Sequence, residues 1–203
     1  MRNFAGGLGV RCNHCHVGEN AATLEGFDFA SDEKEAKKIA RVMMKMTREI
    51  NEKLLPATGR SPLVEVRCVT CHRGLVKPET LDRVLLATAS EKGVTAALDK
   101  YRELRTSSLG QGGYDFSPRT LRIVAETLAN QRNDTEGAAA ATRLNLEFNP
   151  GDAGLHLMLA EILASKGDKE GALASYRKVL ELQPENKRAK AQVEALTAPT
   201  APK

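Results

Sequence analysis

Val10-Arg11-Cys12-Asn13-His14-Cys15-His16-Val17-Gly18 and Val66-Arg67-Cys68-Val69-Thr70-Cys71-His72-Arg73-Gly74 share one pattern, V-R-C-x-x-C-H-x-G, and the second copy stands 56 residues after the first. C-x-x-C-H is the attachment signature of c-type haem. Two residues between the cysteines set their sulfurs about one helical turn apart, so both reach the vinyl edge of one porphyrin. The histidine that follows is then turned under the ring toward iron. The pattern implies two covalently bound haem c groups. Cys12, Cys15, Cys68 and Cys71 are the attachment points, and His16 and His72 the proximal iron ligands.

Two other chemistries use paired cysteines. Zinc ribbons space their two knuckles by roughly 15–20 residues, whereas Cys15 and Cys68 lie 53 positions apart. Four thiolates already fill a tetrahedral zinc site, which leaves no reason for a histidine after each pair. A thioredoxin-like dithiol needs a βαβ setting, of which the chain has no trace. All four cysteines lie inside the two motifs and none is left over.

At 203 residues the chain is long enough for one large domain or two small ones. Its aromatic content is 4 % with no Trp, low for a β-sandwich. No apolar run approaches membrane-spanning length. Residues 1–77 hold 13 Lys/Arg against 9 Asp/Glu, while the remainder balances 17 against 17. The whole basic excess therefore falls in the motif-bearing part, where four haem propionates would offset it. No basic stripe interleaved with aromatics appears, which argues against nucleic acid. Thioether attachment is made outside the cytoplasm, so a periplasmic or extracellular protein is expected. No charged and then apolar leader precedes Cys12, so the chain reads as a mature or truncated form.

Residues 1–30 read as a loop carrying a short helical motif, with Gly6, Gly7 and Gly9 letting backbone approach a flat ring. Residues 31–54 predict a helix with Ser31 as N-cap and Asp32, Glu33 and Glu35 in the first turn. Ile39, Val42, Met43, Met46, Ile50 and Leu54 recur at helical spacing and define one apolar face. Pro56, Gly59 and Pro62 then break the chain before the second motif.

Met46-Thr47-Arg48-Glu49-Ile50-Asn51, a loop, and Cys68-Val69-Thr70-Cys71-His72-Arg73-Gly74 resemble, in that order, the repeating unit of the tetrahaem cytochrome subunit of photosynthetic reaction centres. Met1-Arg2-Asn3-Phe4-Ala5-Gly6 would stand in the helix position of a shorter first unit. The resemblance covers residues 1–77 and differs from the family subunit in carrying two motifs rather than four. It implies Met46 as sixth ligand of the second haem and Met1 of the first. His14, caught between two cysteines, reads as a surface side chain.

From Lys77 onward the pattern changes to helix pairs. Pro150 and Pro184, Gly137 and Gly171, Ala138 and Ala172, and Leu146 and Leu180 each stand 34 apart, the period of the tetratricopeptide repeat. The copy at 153–186 carries Leu159, Ala160, Leu163, Gly167, Ala172, Tyr176, Val179 and Pro184. The copy at 119–152 has Thr142 where Tyr176 stands in the next. Leu81–Ala89 and Gly93–Leu104 predict an earlier hairpin, Ser107–Pro118 an inserted loop, and 187–197 a capping helix. His156 falls at a packing position. The expected architecture is mainly α: a loop-rich dihaem cytochrome c domain (1–77), a helical-repeat solenoid (78–197) and a disordered tail (198–203).

The expected function is electron transfer between redox partner proteins, with the repeats serving for docking or for stacking copies into a homo-oligomer or filament. The alternative is a haem enzyme of peroxidase or reductase type with one open iron. Only His14 and His156 remain beyond the two proximal histidines to supply its acid–base group.

Overall fold

The computed structural model describes residues 2–20 and 22–198. Among the described residues the regular elements are helical, with a single isolated bridge between Val17 and Asp28. The protein is mainly α. Two compact units divide it: Met1–Pro78 with Gly110–Gly113, and Glu79–Leu109 with Tyr114–Lys203. No helix among the described residues is long and apolar enough to cross a membrane.

In the first unit, α1 (Arg2–Leu8) precedes a 3-10 turn, Cys12–His14. Helix α2 (Glu35–Glu49) runs into a π-turn, Ile50–Leu54, and a short α3 (Leu55–Ala57). Helix α4 (Cys68–His72) is a single turn. The helix expected from residue 31 starts later, and for a definite reason. The Asp28 carboxylate accepts from the N–H groups of Ala30 (2.8 Å) and Ser31 (2.9 Å), and the Ser31 hydroxyl accepts from the N–H of Glu33. These side chains hold a turn open where a helix was expected. Ser31 therefore caps nothing, and Lys34 precedes the first helical residue with no side-chain cap.

The apolar face of α2 is the larger surprise. Ile39 is 56 % exposed, Val42 65 % and Met46 43 %. Among the described residues every buried apolar side chain lies in the second unit, while the first buries the polar Lys37 and His72. The first unit thus has helices and turns but no hydrophobic core of its own.

The second unit is built of antiparallel helix pairs: α5 (Leu81–Lys92) with α6 (Val94–Ser108), α7 (Pro118–Arg132) with α8 (Thr135–Phe148), and α9 (Ala153–Lys166) with α10 (Lys169–Leu182). Helix α11 (Lys187–Thr197) closes the stack, as the sequence predicts. The repeat has a capping code within it. Asp134 and Asp168, 34 apart, accept from the N–H of Gly137 (2.8 Å) and Gly171 (2.9 Å). Asp152 and Asn186, also 34 apart, accept from Leu155 (3.1 Å) and Ala189 (3.0 Å). A Cβ on Gly137 or Gly171 would strike the capping carboxylate itself, which accounts for the glycine period.

The buried pairs Ala97/Tyr101, Ala138/Thr142 and Ala172/Tyr176 sit one turn apart on α6, α8 and α10. Where a tyrosine is replaced, Thr142 bonds its own helix at the Ala138 carbonyl, 2.8 Å away. Of the expected tail, Ala198 is described and 199–203 lie outside the described residues. Asp168→Ala should cost about 1 kcal/mol, the typical worth of an N-cap. Urea denaturation followed by helical circular dichroism would read it.

Candidate haem-binding site

The second motif is a helical turn clamped at both ends. Cys68 and Cys71, three apart on α4, share one face. At its start the Thr70 hydroxyl accepts from the Arg67 N–H at 3.0 Å. At its end Arg73 takes a left-handed conformation (φ 49°), turning the chain back. The Leu75 carbonyl then lies 2.8 Å from His72 Nδ1. A carbonyl can only accept, so Nδ1 carries a proton, and in the neutral ring Nε2 then keeps its lone pair. That is the tautomer an iron ligand needs.

The extended segment that delivers this turn is held by Asn51. Its Nδ2 donates to the Val66 carbonyl (2.7 Å), and its Oδ1 accepts from the Val66 N–H (2.8 Å). Asn51 lies in the π-turn, and such a turn rotates the side chains that follow relative to the α register. Sequence reasoning placed Asn51 only within the family pattern. A polar residue capable of both donating and accepting, beside an apolar helix stripe, was the available signal. Asn51→Ala should cost about 1–3 kcal/mol locally, since a half-buried backbone pair is left unmade. Faster proteolysis within residues 55–67, against an unchanged second unit, would be the readout.

The first motif is arranged differently. The His16 N–H donates to the Cys12 carbonyl at 3.0 Å, closing the turn. His16 Nδ1 is buried and has no hydrogen-bond partner among the described residues. The Phe29 ring meets the imidazole edge-on, with centroids 4.9 Å apart, and stacks on Phe27 at 5.6 Å. Gly18 is needed there because a Cβ would collide with Phe27. Lys37 anchors this aromatic arm. Its ammonium donates to the carbonyls of Phe29 (2.8 Å), Ala30 (3.0 Å) and Ser31 (2.7 Å) and pairs with Asp32 (3.0 Å). Arg41 shares that carboxylate at 2.9 Å.

Burial, followed by the cations of Lys37 and Lys34, holds the His16 imidazole below its ordinary range, which favours the neutral, ligating form. Burial pushes the Cys15 thiol up, outweighing the opposing pull of Lys34. A dithiol redox centre would instead have a lowered thiol pKa. Among the described residues no three of His, Cys, Asp and Glu converge as a metal-holding group.

A cavity of 460 Å³ brings the two motifs together: Cys12, Cys15 and His16 border it along with Cys68 and His72, and Ile39, Ala40 and Met43 give it an apolar wall. A second cavity of 540 Å³ runs beside Cys68, bordered by Phe4, Gly7, Thr47, Arg48 and Asn51. Both sizes fall in the ~300–1,000 Å³ range of cofactor sites. Met44 borders both cavities, whereas Met46 borders neither and stands on the exposed stripe of α2. Met1 lies outside the described residues. His14 borders the smaller cavity, and His156 Nε2 is engaged with the Pro150 carbonyl at 2.9 Å.

Of the glycines before the first motif, Gly7 and Gly9 lie close against the second motif, whereas a Cβ on Gly6 would meet nothing within 4 Å. A Cβ on Gly7 would come within 3.2 Å of the Cys68 Cβ, and one on Gly9 would collide with the Gly74 carbonyl oxygen. The Gly74 N–H donates to the Gly7 carbonyl at 2.9 Å.

The residues fit a porphyrin held through thioethers. The first motif offers both thiols and its imidazole, and the second offers Cys68 and His72, beside an apolar cavity in a unit whose described residues bury no apolar side chain.

Comparison with known proteins adds the following. The family described as photosynthetic reaction centre cytochrome C subunit matches residues 1–110. No curated protein matches the chain. Among solved structures, the first tetratricopeptide repeat of Spaghetti bound to an HSP90 peptide is 17 % identical, over 57 % of this chain and 86 % of that one, with a TM-score of 0.39. The Sgt2 tetratricopeptide domain from Aspergillus fumigatus is 18 % identical over 61 % and 85 %, with a TM-score of 0.37. MamA is 15 % identical over 80 % and 82 %, with a TM-score of 0.40.

Proposed function

The chain belongs to the photosynthetic reaction centre cytochrome C subunit family, and from that premise we propose that it is an exported dihaem c-type cytochrome that transfers electrons. Residues 1–77 form the haem domain in this reading, and 78–197 the docking domain. The observation that carries it is one cavity bordered by Cys12, Cys15 and His16 of the first motif and by Cys68 and His72 of the second. Haem iron, when bound, supplies one-electron chemistry tuned by its axial ligands and surroundings. Cys12 and Cys15 would hold one group and Cys68 and Cys71 the other, with His16 and His72 supplying the imidazole ligands. The apolar wall of Ile39, Ala40 and Met43 keeps water from them.

Met46 is the proposed sixth ligand of the second haem and Met1 of the first, by their places in the family pattern. A sixth protein ligand closes each iron to substrate, which favours electron transfer over peroxidase or reductase chemistry. The helical repeats offer a surface for redox partners or for further copies of the chain. If copies stack head to tail without ring closure, a filament results. Electron microscopy of the concentrated protein distinguishes a filament from separate particles.

The deciding experiment is the haem-to-chain ratio by pyridine haemochrome, with electron paramagnetic resonance of the oxidised protein. Two haems, both low-spin, support the reading. One haem, or a high-spin iron, overturns it. Met46→Ala should abolish the methionine–iron charge-transfer band of one haem and leave both haems attached.

A further inference from the structure

We propose that the glycine loop Gly110–Gly113 positions His72, acting through the side chain of Leu75. The proposal rests on the dihaem reading and concerns one of its two imidazole ligands. The loop lies between α6 and α7 in the chain, yet it belongs to the first unit.

His72 is buried on a turn that its own neighbours close. The Leu75 N–H donates to the His72 carbonyl at 2.8 Å, and the Leu75 carbonyl accepts from His72 Nδ1, also at 2.8 Å. A shift of the Leu75 backbone therefore turns the imidazole with it. Arg73 (φ 49°) and Gly74 (φ 84°) bend the chain through left-handed conformations. An arginine keeps that conformation only where its surroundings hold it. One hold is the Gly74 N–H, which donates to the Gly7 carbonyl at 2.9 Å. The glycine loop supplies a second.

His72 and Val76 border the apolar cavity, whereas Leu75 between them does not. The leucine side chain meets Gly113 instead. A Cβ on Gly113 would stand 3.3 Å from both Cγ and Cδ2 of Leu75 and 3.4 Å from the Arg73 carbonyl oxygen. Gly113 is buried, so the leucine packs there on bare backbone. Gly110 (φ 82°) and Gly112 (φ 77°) supply the left-handed turns by which a short loop reaches this point and turns away. The seat fixes Leu75, Leu75 fixes the turn, and the turn fixes the ring. Gly113 itself borders neither cavity; it is a positioning residue.

The plane in which the imidazole stands decides how the d orbitals of a bound iron split, and contacts outside the ligand set that plane. A change at the loop is then legible at one haem and absent at the other. A merely structural role would lower stability and leave the spectrum of both irons alone.

The test is a size exchange in the full haem-loaded chain. Gly113→Val pushes Leu75 from its seat, Leu75→Ala empties the space, and the double variant refills it. Electron paramagnetic resonance of the oxidised protein should show one low-spin signal displaced in Gly113→Val, the other unmoved, and the first restored in the double variant. Gly113→Ala, the smaller intrusion, should displace the same signal less. In the reduced protein the Nδ1 proton of His72, identified by its contacts to Leu75, should exchange with solvent about tenfold faster in Gly113→Val, because the turn opens more readily. The unsubstituted protein should show nuclear Overhauser contacts between the Gly113 Hα protons and the Leu75 methyls. Absence of those contacts, unmoved signals in Gly113→Val, a displacement shared by both haems, or a double variant no better than Gly113→Val would each overturn the positioning role. Fewer than two haems per unsubstituted chain overturns the dihaem reading instead, whereas the contacts between Gly113 and Leu75 are read independently of it.

Discussion

Replacing Cys68 and Cys71 together by alanine should cost the chain one of the two haems proposed above and melt the first unit, while the helical repeats keep their own thermal transition. The reason lies in what the first unit lacks. Its described residues bury no apolar side chain, and the α2 stripe faces outward at Ile39, Val42 and Met46. Apolar burial stabilises by roughly 25 cal/mol per Å², and a unit of fewer than ~80 residues seldom stands without a disulfide, a metal or a comparable staple. The four cysteines form no disulfide. In the dihaem reading proposed above, covalent porphyrins would be the remaining source of core, each anchored by two thioethers.

Loss of the pair on α4 also frees the turn that carries His72 and receives Gly7. The expected signature is a halved pyridine haemochrome, rapid proteolysis within residues 1–78, and an unshifted melting point for the remainder. A variant that keeps its second haem or a protease-resistant first unit would show that the unit folds on its own chain.

The largest single-residue effect should fall in the other unit, at Tyr101. Its ring is fully buried, at 0 % exposure, and packs against Phe116 (5.6 Å) and Phe148 (5.9 Å). Arg105 completes the cluster, lying 4.3 Å over the Phe148 ring and donating to the Phe116 carbonyl at 3.3 Å. This group fastens the end of the inserted loop to α6 and α8. Tyr101→Ala removes the centre of it and should cost about 3–5 kcal/mol, as large aromatic-to-alanine changes in cores do. For a unit of this size that is about 10–20 °C in melting temperature. Tyr101→Phe keeps the ring and loses only a long contact, 3.5 Å from Arg105 Nη1 to the hydroxyl, so it should cost under about 1 kcal/mol. Differential scanning calorimetry of the three proteins reads both numbers. Equal losses in the two variants would place the energy in the hydroxyl and not in the ring.

What could be read from the residues alone follows physical lines. The repeat unit is legible because its core is made of its own side chains. Ala97/Tyr101 and Ala172/Tyr176 recur in sequence because they recur in space, and all four are buried. The Asp and Asn caps at the same period were missed. A cap depends on a single polar residue before a helix, a signal that many turns imitate, and only the 2.8–3.1 Å bonds to the third residue on distinguish it.

In the first unit the chemistry was plain and the packing was not. Cys12, Cys15, His16, Cys68, Cys71 and His72 announce their bonds through spacing. Ile39, Val42 and Met46 showed a helical apolar face, and apolar periodicity ordinarily means burial against protein. Here the periodicity holds while the protein partner is absent, because a prosthetic group contributes nothing to the sequence. Lys37 was illegible for the opposite reason. A lysine in a run of charges reads as solvated, and only the three carbonyls around its ammonium show that it is a buried anchor.

The contact between Gly7 and Gly74 has a practical consequence for anyone building fusions to this chain. Residue 7 supplies the acceptor for the Gly74 N–H, and residue 9 tolerates no side chain against the Gly74 carbonyl. An affinity tag or linker that displaces the first nine residues would therefore injure the distant second motif as well as the adjacent first one. A purification handle should leave the Gly7–Gly74 hydrogen bond undisturbed.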